Sequence, residues 1–176
     1  MFRKVKTIIF DWDGTLHNSI VIYQKAFLKA YQYLIDNHGF PVKAWHQNEI
    51  QKFLGQNPKE MWATFTPKLS TDVIETVSLI VSTSMKESIL QGEAVLYPDA
   101  MDTLKYLKKK GYHLVYLSNS KIYYMDLMRQ TFDLNKYFDT MLCSEMYDFI
   151  PKKDILKQEI SRFDKDMVMI GDRELD

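Results

Sequence analysis

Apolar and polar positions recur along this chain in two different periods, and the change of period divides it. Residues 5–10, Val-Lys-Thr-Ile-Ile-Phe, form a short β-rich run that stops at Asp11. A helix-then-strand pattern resumes much later. Pro98 opens it, Ala100, Met101, Leu104 and Leu107 share one helical face, and Gly111 closes it. Residues 112–117 then read as an apolar strand stopping at Ser118-Asn119-Ser120. The alternation returns as a helix over 121–132 with a strand over 140–143, and again as 154–163 with 167–170. Strands separated by helices predict parallel βαβ units, hence an α/β fold built on a doubly wound parallel sheet.

The stretch 18–95 keeps only the helical period. Tyr23, Phe27, Ala30, Tyr31 and Leu34 share a face, with Asn18 or Ser19 as cap and Gly39-Phe40-Pro41 as stop. Val73, Ile74, Val77, Ile80, Val81, Met85 and Ile89 do the same, entered at Thr71-Asp72 and closed at Gly92. A shorter helix opens at Pro58 and carries Met61, Trp62 and Phe65. The pattern predicts two domains: a sheet-bearing core of 1–17 and 96–176, and an inserted all-helical domain of 18–95. The crossings near 15–18 and 92–97 would be its hinges.

Composition narrows the function classes. The 176 residues are 46% hydrophobic, enough for a real core, and 23 basic residues balance 23 acidic ones. No long basic run favours nucleic acid or an anionic membrane as partner. Lys108-Lys109-Lys110 ends a helix, where it complements the negative pole of the dipole. The one cysteine, Cys143, excludes an internal disulfide, and no Cys/His spacing suggests zinc. No segment approaches the ~20 apolar residues that span a bilayer, so the expectation is a cytoplasmic protein.

Chemistry gathers where the strands end. In an open α/β sheet, ligands bind at the carboxyl ends of the strands. All four runs end in polar residues: Asp11 and Asp13, Ser118-Asn119, Ser144-Glu145, and Gly171-Asp172. The first, Asp11-Trp12-Asp13-Gly14-Thr15, places side-chain and backbone oxygens where they can converge on one hard cation. Gly14 lets the backbone bend or approach a ligand closely.

Four ordered segments, Asp11-Trp12-Asp13-Gly14-Thr15-Leu16, Leu117-Ser118-Asn119, Lys152, and Gly171-Asp172-Arg173-Glu174-Leu175-Asp176, resemble the motifs of the haloacid dehalogenase superfamily. Leu96-Tyr97-Pro98 resembles its capped phosphatases, and the helical insertion resembles their α-helical cap. The resemblance implies a Rossmann-like core and a Mg²⁺-dependent phosphatase acting on a small phosphorylated metabolite through an aspartyl-phosphate. On that basis Asp11 is the nucleophile and Asp13 the acid and base, its carboxyl arguing against dehalogenation. Lys152 supplies positive charge, and Ser118, Asn119, Gly14 and Thr15 surround the phosphoryl group. Asp11, Asp172 and the backbone carbonyl of Asp13 form the Mg²⁺ set, with Asp176 orienting its waters.

The chain departs from the family pattern twice. The third motif usually reads Lys-Pro-x-Pro, whereas Ile150-Pro151-Lys152-Lys153-Asp154 has its proline first, so Lys153 competes with Lys152 for the role. The sequence also stops at Asp176, just after the fourth motif, where relatives continue through a further helix and strand. The expectation is a core cut short there, its fourth strand an open edge inviting self-association. Lys59, in a loop after Phe53, and His17, just past the first motif, are candidate substrate contacts. Trp45, Trp62 and the tyrosines of the insertion read as packing residues. A phosphomutase, a pyrophosphatase or a non-catalytic ligand-binding homologue are the alternatives.

Overall fold

The computed structural model describes residues 5–56, 58–65, 67–163 and 166–172, with the backbone alone at 58–60. Strands β1 (Thr7–Phe10), β2 (His113–Ser118), β3 (Thr140–Cys143) and β4 (Met167–Ile170) make one sheet in the order β3-β2-β1-β4. Every neighbouring pair is parallel. Phe10 stands level with Tyr116 on one side and Ile170 on the other, and Ser118 is level with Cys143. Parallel pairing in this register brings all four carboxyl ends to one edge, which makes the polar strand ends neighbours.

The continuous apolar runs of the inner strands follow from burial on both faces. Ile9, Val115, Leu117 and Leu142 pack on one side with Ile155 and Phe163. On the other, Phe10 and Tyr116 meet the ring of Phe138, with centroids 6.4 and 5.8 Å apart. β4 is an outer strand. Among the described residues it pairs only with β1, and Ile170 is 40% exposed.

Contacts divide the chain into two compact units, 1–18 with 96–176, and 19–95. The second unit is wholly helical among its described residues: α1 (Ile20–His38), α2 (Gln47–Gln51), α3 (Pro58–Ala63) and α4 (Thr71–Leu90). Its core is aromatic. Phe27 lies parallel to Trp62, with centroids 5.9 Å apart and planes at 3°, and meets Trp45 edge-on at 5.0 Å. Trp62, Tyr23 and Tyr31 are buried in this cluster, with Trp45 packed against it.

The first unit carries α5 (Ala100–Lys109), α6 (Ile122–Thr131) and α7 (Lys152–Glu159). Three boundaries differ from the sequence pattern. α5 starts two residues after Pro98, because Asp99 takes a left-handed conformation ahead of it. α7 starts at Lys152 rather than 154 and gives way to a 3-10 turn over Ile160–Arg162. α2 has no counterpart in the periodicity. It is held by a reciprocal cap in which the Glu49 carboxylate accepts the His46 N–H at 2.9 Å. No described helix is long and apolar enough to cross a membrane.

Candidate functional site

The loop after β1 is closed by its own backbone. The Trp12 carbonyl accepts the N–H groups of Leu16 and His17 at 3.0 and 2.9 Å, and Gly14 N–H donates to the His17 carbonyl at 2.9 Å. Asp11 N–H still donates to Ile170 O at 2.9 Å, so the aspartate begins where the sheet ends. Two carboxylates are thereby fixed on a rigid turn rather than on a mobile loop.

Asp11 is 6% exposed, and its Oδ1 lies 2.7 Å from Nζ of Lys152, which is 5% exposed. Pro151 precedes Lys152 with φ −57°, the value proline imposes and a helix start needs. A lysine in the first helical turn faces the positive pole of the dipole, an unfavourable place without an anion. The Asp11 carboxylate is that anion. Lys153, its competitor in the sequence, is exposed. Breaking a buried pair of this kind by removing one partner costs about 3–5 kcal/mol.

Asp172 comes to the same loop from the end of β4. A Cβ placed on Gly14 would sit 2.3 Å from its Oδ2, and Gly14 has φ +89°. The glycine is thus required twice, for its left-handed backbone and for the close approach of a carboxylate. Ser118 ends β2 and is 1% exposed, whereas Asn119 beside it is exposed. Thr15 Oγ1 is buried and makes no hydrogen bond among the described residues.

Asp13 is held from behind. Its Oδ1 accepts the Tyr124 hydroxyl at 2.7 Å and lies 3.0 Å from His17 Nδ1, which is itself 3.2 Å from the Tyr124 oxygen. His17 is fully buried, its ring stacked on Trp12 with centroids 5.7 Å apart and planes at 19°. His17, a candidate substrate contact in the sequence, is placed against the Asp13 carboxylate. Burial, reinforced by the Asp13 carboxylate nearby, pushes the phenols of Tyr116 and Tyr124 well above their ordinary value. Tyr124 is therefore a neutral hydroxyl donor at physiological pH.

The Lys59 side chain and Asp176 lie outside the described residues. Sequence reasoning missed Tyr124, which has no motif spacing to mark it. Glu145, read in the sequence only as a polar strand end, accepts the Ile122 N–H at 2.7 Å and so caps α6.

The donor set suits a hard divalent cation. Asp11 and Asp172 offer carboxylates and Asp13 a backbone carbonyl, all oxygen, beside a glycine with no room for a Cβ. Among the described residues no cluster of three or more His, Cys, Asp or Glu side chains could hold a metal. Any metal here would keep waters, as Mg²⁺ does.

Solved structures share the fold. A predicted phosphoglycolate phosphatase from Haemophilus somnus is 21% identical with a TM-score of 0.77, covering 100% of this chain and 80% of that one. A haloacid dehalogenase-like family hydrolase from Streptococcus pneumoniae is 25% identical with a TM-score of 0.73, over 98% and 78% of the two chains. A predicted phosphatase from Clostridium acetobutylicum is 23% identical with a TM-score of 0.75, over 98% and 78%. No curated protein matches by sequence. The sequence profile of the haloacid dehalogenase-like hydrolases matches residues 5–176, and the chain belongs to that family.

Proposed function

We propose that this hydrolase is a Mg²⁺-dependent phosphatase that cleaves a small phosphorylated metabolite through an aspartyl-phosphate on Asp11. The observation that carries the reading is the buried Asp11–Lys152 pair at 2.7 Å, with a second, partly exposed carboxylate two residues on. A carboxylate nucleophile must attack in its charged form, and the Lys152 ammonium beside Asp11 favours that form.

The chemistry divides into two displacements. The Asp11 carboxylate attacks phosphorus, a bond from its oxygen to phosphorus forms, and the bond to the leaving oxygen breaks. Asp13 gives that oxygen its proton. Asp13 then takes a proton from a water, whose oxygen attacks the same phosphorus and releases Asp11 and inorganic phosphate. Lys152, Ser118 and Thr15 bind the phosphoryl oxygens and offset their charge. Mg²⁺, held by Asp11, Asp172 and the Asp13 carbonyl, would supply further charge compensation.

The test is hydrolysis of 4-nitrophenyl phosphate with Mg²⁺, with EDTA, and by Asp11→Asn. Turnover should need the metal and fall at least about a thousandfold in the variant, the scale on which removing a nucleophile acts. Appreciable residual turnover in Asp11→Asn would remove Asp11 as nucleophile, and metal-independent turnover would remove the Mg²⁺ assignment.

A further inference from the structure

We propose that Tyr124 and His17 are positioning residues that clamp Oδ1 of Asp13 and so reserve its Oδ2 for the proton exchanged during phosphoryl transfer. The inference rests on the phosphatase reading, and it concerns how Asp13 is made to work rather than whether it does.

Three groups meet at one oxygen. Asp13 and His17 belong to the closed loop after β1, while Tyr124 stands in the first turn of α6. The Tyr124 O–H donates to Oδ1 at 2.7 Å, and His17 Nδ1 lies 3.0 Å from the same atom. A bare Nδ1 would set a nitrogen lone pair against a carboxylate oxygen, so the network assigns the proton to Nδ1 and makes it a second donor. Neither donor is free to swing. Tyr124 is buried, and the His17 ring packs in a three-ring cluster with Trp12 and Phe132, with centroid distances of 5.7 and 6.3 Å.

A carboxylic acid on an open surface turns about its last torsion and carries its proton on either oxygen. With Oδ1 accepting two hydrogen bonds, a proton there would have to displace a donor, whereas Oδ2 can gain or lose one without disturbing the clamp. The Asp13 side chain remains about one-fifth exposed, which leaves a face of the carboxyl open beyond the clamp. A reacting group held in one orientation avoids the loss that misalignment brings.

The leaving-group dependence of kcat/KM distinguishes this role from a structural one. Phenyl phosphate departs as a phenolate of conjugate-acid pKa about 10 and needs protonation. 4-Nitrophenyl phosphate needs it far less. Tyr124→Phe, which removes one oxygen, should lower kcat/KM on phenyl phosphate by about tenfold or more and on 4-nitrophenyl phosphate by much less. His17→Leu should show the same asymmetry. His17→Asn keeps an amide near the place of Nδ1 and should recover most of the phenyl phosphate activity, with thermal midpoints reported for all variants. Equal losses on both substrates, no loss in Tyr124→Phe, or no difference between His17→Asn and His17→Leu would overturn the clamp. A parent enzyme that turns over neither ester overturns the phosphatase reading and the clamp with it. A parent whose turnover dies in Asp11→Asn but survives intact in Tyr124→Phe overturns the clamp alone.

Discussion

Gly14 is the residue at which backbone and chemistry can be separated. Its φ of +89° alone makes alanine costly there, by about 1 kcal/mol, and the added Cβ would fall 2.3 Å from Asp172 Oδ2. The clash is with the tip of an exposed side chain, so Asp172 can move aside without unfolding the loop. Gly14→Ala should therefore lose only about 1–2 kcal/mol of stability. The Mg²⁺ concentration for half-maximal turnover should rise about tenfold or more, the range seen when a metal's surroundings are disturbed. Denaturant titration beside a Mg²⁺ titration of turnover would show it, and an unchanged metal requirement would remove Asp172 from the ligand set. The position of Gly14 was legible because spacing and strand ends carry such information, as they do for Asp11, Asp13, Ser118 and Asp172. Tyr124 was not: its partner Asp13 is 111 residues away, and only the setting of α6 on the sheet brings them together. His17 was legible as a polar residue beside the motif, but its role depends on a stack against Trp12 that no linear pattern encodes.

Elements were legible in proportion to their length. The nineteen and twenty residues of α1 and α4 show the helical period plainly, while the five of α2 are too few to show any. The start of α7 was read late because Lys152 and Lys153 look like loop residues until Pro151 and the anion of Asp11 are seen to hold the first turn. The join between β2 and β3 shows a different kind of control. Asp139 Oδ2 accepts the Leu114 N–H at 3.0 Å, Asp139 N–H donates to the Leu114 carbonyl at 2.9 Å, and the Lys108 ammonium bonds the other carboxylate oxygen. Burial by itself would raise this carboxyl, but the bonds from Lys108 and Leu114 outweigh it and hold its pKa below the ordinary carboxylate value. A carboxyl lowered on folding adds stability above its unfolded pKa of about 3.9 and loses it as pH falls through the folded value. Asp139→Asn should cost about 0.5–1 kcal/mol at neutral pH, modest because Lys108 and Asp139 are partly solvated. That difference should shrink steadily below about pH 4. Denaturation midpoints of parent and variant across acid pH would check it, and a pH-independent gap would show that shape rather than charge is responsible.

At the scale of the whole molecule, each unit supplies its own core, and the sheet-bearing unit is uneven across its width. β1 lies between β2 and β4 with both edges bonded, and Thr7, Ile8, Ile9 and Phe10 are all buried. β4 is bonded on one side among the described residues, and its four residues are half-buried or exposed. In a parallel pair alternate residues direct their N–H groups to opposite sides, so part of the β4 backbone faces away from β1. An apolar strand of Met, Val, Met and Ile, unpaired on one side among the described residues, is the feature that natural sheets ordinarily cover or charge. The expected gradient is therefore steep. Amide hydrogen exchange at low protein concentration should be slowest in β1 and β2 and faster by orders of magnitude in β4, where local opening exposes little further apolar surface. Raising the concentration separates two accounts of any departure. Protection of β4 that grows with concentration, alongside a larger sedimenting species, would mean that a second copy covers the strand. Protection equal to that of β1 at every concentration would mean that the edge is closed within one chain, and the open-edge reading of the fourth strand would fall.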